Sequence, residues 1–190
     1  MKDMLKTIVV LSVLCALSGF ILSYLKTATA PIIEMQLLTN VQGPALRSVF
    51  AKAENDPIAD RKEFSLDGQK VIVFPSIIGG RLSGVAIEAF GSGYGGDLGV
   101  LSGFNVSNDT LAGVGMTQLK ETPGLGMRVR EPAFSSQFRG GKAPVALSGK
   151  GGSIDAISGA TISSNAVVDA VNAAHGIYQK LKPEITKAWQ

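Results

Sequence analysis

The N-terminal quarter of the chain contains a long apolar stretch without charged residues. Residues 7–25 (TIVVLSVLCALSGFILSYL) make up this stretch of 19 residues. As a helix, a segment of that length spans about 28 Å, which is roughly the thickness of the hydrocarbon core of a bilayer. The pattern therefore predicts a single membrane-spanning helix at the N-terminus.

A cleaved signal peptide is the alternative for this segment, because residues 28–30 (ATA) resemble a small-residue cleavage site. However, the apolar run is longer than the roughly 7–15 residues of a signal-peptide core. Cleavage would also place Pro31 first in the mature chain, where its fixed φ and missing N–H make a poor protease substrate. We therefore expect a retained anchor. Lys2 and Lys6 precede the span and Lys26 follows it, which favours a cytoplasmic N-terminus and an external C-terminal part.

The segment that follows the anchor is predicted to be helical at first and then irregular. Apolar residues continue at helical spacing to Phe50, with a break expected at Gly43-Pro44. Residues 52–67 are mostly polar and predict a loop. We therefore divide the chain into an anchor (1–30), a juxtamembrane segment (31–70) and a folded domain (71–190).

The hydrophobic pattern changes from helical spacing to alternation after residue 70. Short apolar or alternating runs predict strands at residues 71–74, 85–89, 100–106, 110–117 and 145–147. A short helix is expected at residues 132–138, and a long one with an apolar stripe at residues 162–181. The predicted fold class is α+β: a mostly antiparallel sheet backed by helices, preceded by a single transmembrane helix.

Composition and charge exclude several classes of function. The formal net charge of +3 is small and scattered, so it does not form the basic stripe of a nucleic-acid-binding protein. Cys15 is the only cysteine and lies in the apolar span, which rules out a disulfide within the chain. His175 is the only histidine and has no second metal-type residue one turn away, so we expect no bound metal. No nucleophile–base pair or pair of carboxylates indicates a catalytic residue.

Residues 91–96 (GSGYGG) match the glycine spacing of a dinucleotide-binding loop, but the surrounding sequence does not fit. That loop requires a helix directly after its last glycine. Residues 97–106 have the pattern of a strand instead. We therefore expect a turn between two strands.

Residues 155–163 (DAISGATIS) lie immediately before the long helix. The first turn of a helix presents unpaired N–H groups and the positive end of the helix dipole, which together suit a phosphate. Gly159 permits close approach of the backbone, Ala160 leaves space, and Thr161 places a hydroxyl there. Considered alone, the segment is more typical of an ordinary helix N-cap, where Ser and Thr are common.

Residues 121–126 (ETPGLG) contain a Pro-Gly turn signal. Such a loop can present peptide groups to the edge of a flat ring. Leu125 then packs on the ring face, while Glu121 and Thr122 form hydrogen bonds with its polar edge. A surface turn with an exposed glutamate is the alternative.

In their order along the chain, these three segments and the anchor resemble the FMN-binding domain found in the G subunit of Rnf-type ion-translocating electron-transport complexes. That family is related to the C subunit of the Na⁺-pumping NADH:quinone reductase. The resemblance implies that FMN is joined through a phosphoester to Thr161. It also implies flavin contacts from Glu121, Thr122, Gly124, Leu125, Ser158, Gly159, Ala160 and Ser163.

The same resemblance implies a function and partners. The protein would carry electrons as one component of a translocase that couples ferredoxin–NAD electron transfer to ion translocation. Its partners would be other membrane subunits, membrane lipid, and a flavin transferase that uses FAD and a metal. The anchor would lie in the inner membrane, with the domain periplasmic or otherwise extracytoplasmic. Two alternatives stay open: an anchored binding module with no redox role, and an FMN-domain component of another respiratory complex.

Overall fold

The computed structural model describes residues 2–189, without the side chains of Pro31 and Glu34. The chain divides into two units, Met1–Leu38 and Thr39–Gln190. Helix α1 (Lys2–Leu37) makes up nearly all of the first. Its part Lys2–Ala30 has a mean hydropathy of 2.4, and within the described residues it is the one helix long and apolar enough to cross a membrane. The predicted single apolar N-terminal helix is confirmed.

A short helical segment precedes the sheet. Leu38–Gln42 forms a π-helical turn, and α2 (Gly43–Val49) begins directly after it. The predicted break at Gly43-Pro44 corresponds to this boundary, although the chain stays helical across it. Pro44 lies in the first turn of α2, where an N–H has no partner within the helix, so the ring interrupts nothing.

The second unit is built on a five-stranded antiparallel sheet whose strands follow one another in chain order. The predicted antiparallel sheet is confirmed. Its strands are β1 (Lys62–Leu66), β2 (Gln69–Ile78), β3 (Arg81–Ser92), β4 (Asp97–Asn105) and β5 (Leu111–Gln118).

Two local predictions about strands are wrong. The loop predicted for residues 52–67 contains β1, which pairs with β2 from Lys62↔Val73 onwards. This edge strand was missed because only two of its five residues, Phe64 and Leu66, are apolar. Conversely, the strand predicted at residues 145–147 is reduced to a single bridge between Leu147 and Ile154.

The helices that follow the sheet confirm the predicted positions, apart from one boundary. Residues 132–138 form α3 (Pro132–Ser135) and a 3-10 turn (Ser136–Phe138). Helix α4 (Thr161–Ala188) runs seven residues beyond the predicted end at residue 181. The fully buried Ile185 continues the apolar stripe by one turn, which explains this extension despite Pro183 inside the helix.

Helix α4 packs on one face of the sheet, mainly against β3 and β4, whereas α2 packs against β4 and β5. The core beneath α4 includes the ring of Tyr178 stacked on that of Phe104, with centroids 4.7 Å apart and planes at 4°. This packing fixes the direction of α4 and therefore the position of its first turn.

A polar cluster fastens the far half of α4 to the turn between β4 and β5. Asp109 Oδ1 accepts hydrogen bonds from Tyr178 Oη at 2.8 Å and from Lys182 Nζ at 2.5 Å. The hydrogen bond from Lys182, and to a smaller extent the one from Tyr178, holds the pKa of Asp109 below its ordinary value. Burial and the neighbouring carboxylate raise the pKa of Tyr178.

Candidate functional site

A cavity of about 610 Å³ opens where the three glycine-containing segments of the sequence meet. Its volume lies in the range of roughly 300–1,000 Å³ that is usual for small-molecule sites. Its walls come from the turn between β3 and β4, the loop after β5 and the first turn of α4. The lining residues are Tyr94, Glu121, Thr122, Leu125, Gly126, Gly159, Ala160, Thr161, Ile162 and Ser163.

The start of α4 has no side-chain cap. Ala160 occupies the N-cap position, its methyl group cannot accept a hydrogen bond, and Thr161 is the first helical residue, with an exposed side chain. The alternative of an ordinary Ser/Thr N-cap at Thr161 is therefore wrong. The uncapped first turn presents its N–H groups and the positive end of the dipole at the cavity wall, which suits an anion.

The loop before α4 is held in place from inside the helix. Ser164, which is fully buried, donates its hydroxyl hydrogen to the Ala160 carbonyl at 3.0 Å and accepts the Ile157 N–H at 3.1 Å. Gly159 reaches φ +79°, a conformation that favours glycine, and its backbone comes close to Leu125. The loop is thus fixed without using the hydroxyl of Thr161.

Glu121 is buried, with 5% of its surface exposed, so the alternative of a surface turn with an exposed glutamate is wrong. Its Oε2 accepts a hydrogen bond from Ser163 Oγ at 2.7 Å. Its Oε1 accepts the backbone N–H of Gly95 at 3.2 Å. One carboxylate therefore joins the loop after β5 to both other segments of the cavity wall.

Two glycines make room for this carboxylate. A Cβ at Gly93 would lie 2.1 Å from Glu121 Oε1, and a Cβ at Gly126 would lie 2.5 Å from Oε2. The segment 91–96 closes β3 and connects it to β4, with Gly93 N–H bonded to the Gly96 carbonyl at 3.0 Å. The expected strand-to-strand turn is confirmed: close packing requires glycine at residues 93 and 95, and a φ of +131° favours it at Gly96.

The structure brings most of the sequence-predicted site residues to one cavity and leaves two outside its lining. Gly124 lies at the tip of its loop with φ +72° and open space around it. Ser158 lines a separate hollow of about 460 Å³, together with Arg128 and Asp155. The seven predicted residues at the cavity are Glu121, Thr122, Leu125, Gly159, Ala160, Thr161 and Ser163.

Sequence reasoning predicted Leu125 but missed the other two apolar residues at the rim of the cavity, Tyr94 and Ile162. Tyr94, Ile162 and Leu125 are exposed to 74%, 53% and 42%, and all three line it. Exposed apolar side chains grouped around a concave site indicate a ligand surface. The sequence does contain a signal for Tyr94. A tight glycine-rich turn such as residues 91–96 does not require an aromatic side chain, so its presence indicates a role in binding.

The arrangement combines an anion site, a hydroxyl and an apolar slot in one cavity. Within residues 2–189, no three His, Cys, Asp or Glu side chains are grouped so that they could hold a metal ion. This combination suits a ligand with an anionic group at one end and a flat apolar ring at the other.

Comparison with known proteins agrees with this geometry. The FMN-binding domain family profile matches residues 93–176, a range that includes the whole lining of the cavity. The G subunit of the ion-translocating oxidoreductase complex of Methanosarcina acetivorans is 33% identical over 91% of this chain and 93% of its own length. The G subunit from Cereibacter sphaeroides is 31% identical over 70% of this chain and 64% of its own length.

Solved structures with the same fold come from the C subunit of the Na⁺-translocating NADH-quinone reductase. The Parabacteroides distasonis protein superposes with a TM-score of 0.53 at 26% identity, covering 68% of this chain and 71% of its own. Shewanella oneidensis NqrC gives 0.54 at 21% identity, covering 74% and 88%. The expected family resemblance is confirmed: this chain belongs to the family of G subunits of ion-translocating oxidoreductase complexes and contains an FMN-binding domain.

Proposed function

We propose that this protein is a membrane-anchored electron carrier that holds FMN covalently at Thr161 inside an Rnf-type complex. The observation that carries the proposal is the position of Thr161. Its exposed hydroxyl stands on the uncapped first turn of α4, at the wall of the cavity. A phosphate joined to this hydroxyl lies among free N–H groups at the positive end of the helix dipole.

One end of the cavity suits the phosphate end of FMN, and the other end suits its isoalloxazine ring. Gly159 and Ala160 leave space beside Thr161 for the phosphate and ribityl chain. Tyr94, Leu125 and Ile162 supply apolar surface for the isoalloxazine ring, and Thr122 supplies a hydroxyl near its polar edge. When bound, FMN supplies the redox chemistry; the protein supplies attachment, orientation and electrostatic environment.

The apolar helix makes the carrier a membrane protein. Lys2 and Lys6 before the span favour a cytoplasmic N-terminus, which puts the flavin domain outside the cytoplasm. The anchor stays attached and is surrounded by lipid of the inner membrane. A covalent bond is useful in that location, because a dissociated flavin would be diluted without a pool to replace it.

The names of relatives support the redox role within a larger assembly. The Acetobacterium woodii relative is part of a Na⁺-translocating ferredoxin:NAD⁺ oxidoreductase complex, and the Clostridium ljungdahlii relative belongs to a proton-translocating one. By analogy, the partners here are other membrane subunits of such a complex, and a separate flavin transferase, using FAD and a metal, makes the phosphoester bond.

A denaturing gel viewed for flavin fluorescence tests this proposal against an anchored binding module without a redox role. The full chain is produced with and without a flavin transferase. We expect a fluorescent band at the size of the protein only when the transferase is present. A band that stays dark under both conditions, with the transferase shown active on another substrate protein, would favour the binding module.

A further inference from the structure

We propose that Glu121 is a positioning residue whose buried carboxylate locks the turn that carries Tyr94 onto the first turn of α4. The flavin cavity is then shaped before its ligand arrives. The name of the ligand rests on the proposed function above; the lock itself does not. Three features of the site support this lock: the hydrogen bonds of the carboxylate, the space that glycines leave for it, and the scarcity of other polar contacts between the same two segments.

Both carboxylate oxygens are used, each by a different segment. Oε1 accepts the Gly95 N–H at 3.2 Å, directly after Tyr94 in the chain. Oε2 accepts the Ser163 hydroxyl at 2.7 Å, in the first turn of α4. Glu121 is only 5% exposed, so water competes little for these bonds and their loss leaves buried donors unpaired.

The two glycines beside the Glu121 carboxylate leave no space for a larger side chain at their positions. A Cβ at Gly93 would come within 2.1 Å of Oε1, and a Cβ at Gly126 within 2.5 Å of Oε2 and 2.6 Å of Ser163 Oγ. Such separations are far below contact distance, so an alanine at either position must displace the carboxylate. The carboxylate therefore occupies a pocket of fixed shape, which is a condition for a precise lock.

Few other polar contacts hold the turn to the helix. Among the described residues, the hydrogen bonds of residues 93–96 outside the strands are the internal Gly93–Gly96 bond and the Gly95–Glu121 bond. The first turn of α4 reaches the turn through Ser163 and Glu121. Without the carboxylate, the wall carrying Tyr94 is connected to the wall carrying Thr161 only by packing of the sheet on α4. Pre-organised walls of this kind reduce the ordering cost of binding.

A glutamine at position 121 provides a conservative replacement. Its carbonyl oxygen can accept the Gly95 N–H while its amide donates to Ser163 Oγ, because a serine hydroxyl can accept as well as donate. Alanine removes both bonds. The lock therefore predicts that Glu121→Gln retains the shape of the cavity and that Glu121→Ala loses it.

Hydrogen–deuterium exchange on the full chain in detergent, produced without a flavin transferase, measures the lock directly. We expect amide exchange at Gly93 and Gly95, and at Ser164, whose N–H donates to the Ala160 carbonyl, to become on the order of tenfold faster in Glu121→Ala, from the loss of two buried hydrogen bonds. Glu121→Gln should stay near wild type. Gly126→Ala should behave like Glu121→Ala, because the added methyl group displaces the Glu121 carboxylate although that side chain is still present. Gly149→Ala is the matched control, because a Cβ there meets nothing within 4 Å.

A second variant keeps the test decisive if Glu121→Ala does not fold. Ser163→Ala removes only the bond to α4, so exchange should increase at the bonded amide of Ser164 and stay slow at Gly95. Unchanged exchange in Ser163→Ala and Gly126→Ala, or an equal change in the Gly149→Ala control, would overturn the lock.

Flavin-loaded protein supplies a readout that a purely structural role would not move. The absorption bands of attached flavin should lose resolution, and its fluorescence anisotropy should fall, in Glu121→Ala and Gly126→Ala but not in Glu121→Gln. If Glu121→Gln changes these bands as strongly as Glu121→Ala does, the lock is wrong and the residue acts through its charge alone. Absence of flavin from wild type would contradict the proposed function, and the exchange results would still decide the lock.

Discussion

The Ser163 hydroxyl donates a hydrogen bond of 2.7 Å to Glu121 Oε2 across 42 residues of sequence. This contact joins the helix that presents Thr161 to the loop that presents Leu125. The two short motifs that resemble FMN-binding segments are thus parts of one wall. Their roles can be separated by substitutions at the residues that line the cavity.

Tyr94 is expected to cover one face of the flavin ring. Its side chain is 74% exposed and lines the cavity, a position in which an aromatic ring can stack on a flat ligand. Tyr94→Ala should keep covalent flavin but raise its fluorescence and lower its anisotropy, because the ring loses a stacking partner. Phe90→Ala is the control: Phe90 is 55% exposed on β3 and does not line the cavity. Equal effects of the two variants would place Tyr94 away from the flavin.

The reduction potential of the flavin is expected to rise in Glu121→Gln. A carboxylate at the cavity wall disfavours the negative charge that develops on reduction, and the amide removes that repulsion while it can retain both hydrogen bonds. A spectroelectrochemical titration of the flavin-loaded protein measures the change. Glu131→Gln serves as the control, since Glu131 is half exposed and lines the other hollow. An unchanged or lowered potential in Glu121→Gln would argue against a negative charge near the ring.

Asp109→Asn is expected to change how stability depends on pH in acid. The folded pKa of Asp109 lies below its ordinary value of 3.8, so the stabilisation is fully present above about pH 4. It is lost as the pH falls through the lower folded value. Asparagine tolerates the backbone φ of +56° at this position, so the change isolates the charge. Denaturant unfolding should show lower stability of the variant at pH 7 and a smaller loss between pH 5 and pH 2; parallel pH curves would contradict this.

The orientation in the membrane is expected to follow the lysine flank. A periplasm-active reporter fused after residue 190 should be active, and a cytoplasm-only reporter should be silent. Replacing Lys2 and Lys6 by Gln, with two lysines added after Lys26, should weaken or invert this result. The N-terminus of the purified protein should still contain the apolar segment; a mature chain beginning at Pro31 would contradict the retained anchor.

The sequence predicted four of the five strands and the long last helix because their apolar periodicity is strong. It did not predict β1, since an exposed edge strand with two inward residues carries almost no pattern. It predicted that Glu121 forms hydrogen bonds with the ligand but did not predict that this side chain is buried. The burial of Glu121 depends on Gly93 and Ser163, which are distant from it in sequence. The alternative of an N-cap at Thr161 was wrong for a similar reason. The buried Ser164 holds the loop before α4 instead. Which of the neighbouring serines is buried depends on how α4 packs on the sheet, which the sequence pattern does not show.

Covalent attachment at Thr161 is the central claim, and intact-mass spectrometry of two threonine variants tests it most directly. Thr161 and Thr122 both line the cavity, so Thr122→Ala is a control of matched chemistry and location. Each full-length variant is produced with a flavin transferase. We expect the mass increment of FMN on wild type and on Thr122→Ala, and none on Thr161→Ala, whose fold should be retained because Ala160, not Thr161, is the cap. An FMN increment that persists on Thr161→Ala, or that disappears only from Thr122→Ala, would contradict the account.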